Sequence, residues 1–97
     1  MHMLKWLDAS AAEAQADQAV ADFERLIPKD ELAAPGAARR KQFAKLDQTV
    51  DRHRRQATTA GYNIYKKAKF ANRVKWRLRD AGYPDDFIDS VVRLLII

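Results

Sequence analysis

The chain contains no cysteine, which excludes a disulfide framework, a thiolate nucleophile and any cysteine-ligated zinc or iron–sulfur site. Histidine is nearly as scarce. His2 and His53 lack the neighbouring histidines or clustered carboxylates that metal-ligand spacing requires. His2 belongs to the terminus, and His53 reads as a core or boundary residue. The few glycines form no phosphate-cradling loop, and Ser10, Thr49, Thr58, Thr59 and Ser90 have no nucleophile-elbow or triad-like setting. The expectation is a protein that is not an enzyme and takes no cofactor, no metal and no small-molecule substrate. Long apolar runs are also missing. The longest, Leu94 to Ile97, is far below bilayer-spanning length, and Met1 to Asp8 has no continuous apolar core of the signal-peptide kind. A soluble, cytoplasmic protein is expected.

What is present is charge, unevenly placed. The formal net charge is +5, yet residues 1–35 hold three basic against seven acidic side chains, and residues 36–83 hold fourteen against three. Residues 84–97 turn acidic again, with three against one. The basic character therefore belongs to the middle of the chain, where a polyanionic partner is to be sought. With 97 residues, 47% of them apolar, the chain can bury one modest core. Residues 1–97 read as a single helical domain with a linker at 28–38.

Ser10-Ala11-Ala12-Glu13 has capping-box spacing and predicts a first helix over about 10–27, ended by Pro28. Its stripe runs Ala12, Ala16, Ala19, Phe23 and Leu26, with Val20 and Ile27 alongside and Trp6 and Leu7 folding back as an anchor. Pro28, Pro35 and Gly36 mark the linker, with one short turn at Asp30 to Ala33. A second helix over about 38–60 has a thin stripe of Phe43, Leu46, Val50, His53 and Ala57. Gly61 and Gly82 share the context Ala-Gly-Tyr and read as left-handed helix caps. Between them, a helix over about 63–81 places Ile64, Ala68, Phe70, Ala71, Val74 and Leu78 on its core face. Pro84, followed by Asp85, Asp86 and Asp89, opens a shorter helix over about 85–97. The architecture expected is all-α: a small four-helix bundle in which acidic helix 1 packs on basic helices 2 and 3, and helix 4 closes the core or an oligomer seam.

Two functional surfaces stand out. On the far side of helix 3, Tyr62, Tyr65, Lys69, Arg73 and Trp76 fall together, flanked by Lys66 and Arg77. Cations that displace counterions from phosphates and rings that stack on unpaired bases are the two parts of nucleic-acid binding, so this face predicts a module for nucleic acid or another polyanion. On helix 2, Arg39, Arg40, Lys41, Lys45, Arg52, Arg54 and Arg55 lengthen the basic surface, although Asp47 and Asp51 can pair with Arg54 and Arg55. A helix-turn-helix of helices 2 and 3 around Ala57 and Gly61 fits poorly, because Lys67 stands where that motif buries an apolar residue. The second surface is the apolar C-terminus. Leu94, Leu95, Ile96 and Ile97 either plug the protein's own core or dock on a protein partner or a second copy. Asp85, Asp86 and Asp89 beside them argue against a membrane surface.

Overall fold

A computed structural model describes residues 9–96. Among these residues there are four α-helices and no strand: α1 Ser10–Leu26, α2 Ala37–Thr59, α3 Ile64–Asp80 and α4 Asp85–Ile96. A 3₁₀ turn, Lys29–Glu31, lies in the linker. The expected Trp6–Leu7 anchor and Ile97 fall outside the described residues.

Each helix packs on two others. α1 lies against α3 and α2, and α4 lies against the same two, so α2 and α3 stand across the core from one another and share little direct contact. The close crossing of α2 and α3 that a helix-turn-helix needs is therefore absent. The core takes Phe23 from α1, Leu46 and Val50 from α2, Phe70, Val74 and Leu78 from α3, and Phe87, Ile88, Val91 and Leu95 from α4. Phe87 is held between Tyr83, stacked at 5.0 Å, and the edge of Phe43 at 5.9 Å. Ala12, Ala16 and Ala19 are fully enclosed, which lets the first half of α1 approach its neighbours closely.

Three details depart from the sequence reading. The first helix begins at Ser10, so the cap position falls on Ala9, whose methyl side chain accepts no hydrogen bond. Glu13, expected to close a capping box, instead reaches Arg73 on α3. Leu26 is exposed and Ile27 takes its place in the core, because α1 ends at Leu26 and the chain turns inward there. On α3, Phe70, Ala71, Val74 and Leu78 are buried as expected, but Ile64 is 87% exposed at the first helical position and Ala68 faces solvent.

The glycine caps form as the sequence predicts. Gly61 and Gly82 have φ of 71° and 92°. The Tyr62 and Gly61 amides donate to Ala57 and Thr58, and the Tyr83 and Gly82 amides repeat the pattern on Leu78 and Arg79. This is the Schellman arrangement, in which the residue after glycine packs back on the last turn. At the start of α3, Asn63 caps the helix by accepting from the Lys66 amide at 2.8 Å. The linker is pinned rather than loose. Gln42 accepts from the Ala33 amide at 2.7 Å and donates to the Glu31 carbonyl at 2.6 Å, and Arg39 donates to the Ala33 carbonyl at 2.7 Å.

Candidate nucleic-acid interface

Helical geometry decides which part of α3 meets solvent. Tyr65, Lys69, Asn72, Trp76 and Arg79 fall within about 80° of the helical wheel, at about 100° per residue, and all five are exposed. Tyr65 is 39% and Trp76 47% exposed, enough to leave ring surface open while the remainder rests on the helix. Lys69 Nζ lies 5.6 Å from the Tyr65 ring centre, and Arg79 and Lys75 lie 5.0 and 5.7 Å from that of Trp76. These are cation–π distances. Because Ala68 points outward and is small, a shallow depression of about 310 Å³ opens between Tyr65, Lys69 and Asn72.

The seven residues expected to form one binding face separate into three placements. Lys69, Tyr65 and Trp76 share the exposed strip, with the half-buried Lys66 beside it. Arg73 and Arg77 turn towards α1. Arg73 Nε donates to Asp17 at 2.9 Å and Arg77 Nε to the same carboxylate at 3.0 Å, while Arg73 also reaches Glu13 at 3.5 Å. Hydrogen bonds from Arg73 and Arg77 pull the Asp17 carboxyl from its ordinary 3.8 down to about 2, and the same contact raises the Arg73 guanidinium. Tyr62 is half-buried against the core, and that burial pushes its hydroxyl up.

On α3 the cations divide by type. All three arginines of α3 are in ion pairs, Arg79 with Asp85 at 3.4 Å. Lys66, Lys67, Lys69 and Lys75 make none among the described residues. On α2, Arg39 pairs with Asp86 at 2.6 Å and Arg52 with Asp22 at 2.9 Å, and Arg54 and Arg55 share Asp51. Arg40, Lys41 and Lys45 pair with no described residue. Asn72 and Arg79 belong to the strip, with the half-buried Lys75 at its edge, and were missed in the sequence. Stepping from Tyr65 by four and three residues finds Asn72 and Arg79. The equal spacing of Glu13 and Asp17 to that of Arg73 and Arg77 signals the ion pairs.

His53 is buried, as its stripe position predicts, with Nε2 2.9 Å from Asp22 and its ring edge-on to Phe23. Burial alone would raise the Asp22 carboxyl, but the His53 hydrogen bond and the charges of Arg25, His53 and Arg52 outweigh it and hold the group low. No cluster of histidine or carboxylate ligands suited to a metal occurs among the described residues. At the C-terminus, Leu95 is buried in the core, Leu94 is half-buried, and Ile96 is 55% exposed beside a groove that includes Arg54, Lys67 and Phe70. No helix of the described residues is long and apolar enough to cross a membrane.

The fold so described is an all-α helical bundle. No family model matches the chain, and neither a curated protein nor a solved structure matches it.

Proposed function

We propose that the protein is a cytoplasmic, non-enzymatic binding module for nucleic acid or another polyanion, with the contact made by the exposed strip of α3. The observation that carries this reading is the alternation on one solvent face of two half-exposed rings, Tyr65 and Trp76, with lysines that no described carboxylate neutralises. Unpaired lysines release counterions when they meet phosphates, and each base stacked on a ring contributes roughly 1–3 kcal/mol. Lys69 supplies charge on the strip itself, with the half-buried Lys66 and Lys75 on its two flanks. Arg73 and Arg77 hold α1 in place.

The test is fluorescence anisotropy of labelled oligonucleotides titrated with the protein across a salt series. Saturable binding that weakens steeply with salt supports the reading, and absence of binding at low salt removes it.

A second reading, an assembly subunit docking through α4, is favoured by one observation: Ile96 stands exposed beside a groove in which Phe70 and Leu95 are rimmed by Arg54, Arg55 and Lys67. Light scattering tests it. A defined oligomer that Ile96→Asp dissolves would support this reading, and a monomer at all concentrations would remove it.

A further inference from the structure

Tyr65 and Trp76 are eleven residues apart on one continuous helix, which places their positions about 16 Å apart along the axis at about 1.5 Å per residue. A stacked strand advances about 3.4 Å per nucleotide. Two rings at this separation match bases about five nucleotides apart, or fewer on a stretched strand. The depression beside Tyr65 gives the first ring an open approach, and Lys69 lies along the path towards the second.

Resting on the proposed function, we infer that the ligand of this strip is a single-stranded nucleic acid laid along α3, with one base on Tyr65 and another about five nucleotides away on Trp76. A duplex fits the same face less well. Its bases are stacked on each other, and a ring can reach their faces only by unstacking a step. The forked donors that read guanine in a major groove are arginines, and every arginine of α3 is in an ion pair with a carboxylate of α1 or α4. Lysines act as point charges on phosphates and carry little base information. The contact is therefore sequence-tolerant and has a minimum length.

That minimum length is the property to test. Labelled oligothymidylates of about three to about twelve nucleotides are titrated by anisotropy at fixed low salt, together with a duplex of equal phosphate count. The expected result is a steep gain in affinity up to about five or six nucleotides and a shallow gain beyond. Tyr65→Ala and Trp76→Ala should each weaken the longer strands about tenfold and abolish the step, while Trp76→Phe keeps it. Thermal melts of the same variants establish that the fold is retained. A smooth rise with length that neither alanine variant alters, or tighter binding of the duplex, would overturn the two-ring mode and leave a purely ionic polyanion site. No binding at any length would overturn the functional reading together with it.

Discussion

Asp22 of α1 accepts a hydrogen bond from His53 of α2 at 2.9 Å where both side chains are almost fully enclosed. Arg25 and Arg52 approach the same carboxylate from the surface side, so the buried charge is compensated at its rim. His53 Nδ1 has no hydrogen-bond partner among the described residues. The Asp22 contact is thus the buried polar anchor of the α1–α2 seam, with Gln15 bonded to the His53 carbonyl and to Gln56 nearer the surface. Replacing one member of an enclosed pair leaves the other uncompensated, so Asp22→Asn should destabilise the protein by about 2–3 kcal/mol in urea denaturation. A double-mutant cycle with His53→Gln should return a coupling of about 1 kcal/mol or more. Additive losses would mean that the two side chains act independently.

The Asp17 carboxyl titrates near 2 in the folded chain against an ordinary 3.8, so the folded state binds its proton more weakly than the unfolded state. The stability it adds is fully present above the unfolded value and is lost as pH falls from about 4 towards 2. The carboxylate is partly exposed and solvent screens it, so that contribution is about 1 kcal/mol. The stability gap between the wild type and Asp17→Asn should be constant near neutrality and close across that acidic window. A gap that persists at pH 2 would assign the loss to packing instead of charge.

Two apolar residues of α3 should respond in opposite ways. Leu78 is fully buried and Ile64 is 87% exposed. Leu78→Ala should cost about 2–5 kcal/mol, whereas Ile64→Ala should stay within about 0.5 kcal/mol. Thermal denaturation of the pair checks the end of the core as well as its middle. A large loss from Ile64→Ala would show that the first turn of α3 is covered in solution.

The same contrast applies to the last turn of α4. Leu95 closes the core and Ile96 faces out, so Leu95→Ala should destabilise by about 2–5 kcal/mol while Ile96→Asp leaves the melting temperature nearly unchanged. Circular dichroism melts separate the two.

Helix number, order and approximate bounds were legible because several local signals agreed: Pro28 after the first stripe, the paired Ala-Gly-Tyr caps, and Pro84 before three aspartates. His53 was legible as an inward residue from its place on the α2 stripe. Which cations remain unpaired was not. Arg73 and Lys69 look alike on a wheel of α3 alone, and only the position of α1 assigns the arginine to Asp17 and leaves the lysine in solvent. Ile64 misled for a related reason. Periodicity gives the direction in which a side chain points, but a residue in the first turn is buried only if a neighbouring element extends far enough to cover it.

The division of α3 into structural arginines and ligand-facing lysines is tested most directly by two double variants that lower the net charge equally, Lys69→Gln with Lys75→Gln and Arg73→Gln with Arg77→Gln. Each is titrated against a labelled single strand across a salt series, with its melting temperature measured in parallel. The lysine variant should bind more weakly and melt like the wild type, and its slope of log affinity against log salt should fall by about 0.7 for each phosphate no longer neutralised. The arginine variant should melt at a lower temperature and keep the wild-type slope. The reverse pattern, with the slope carried by Arg73 and Arg77, would contradict the account.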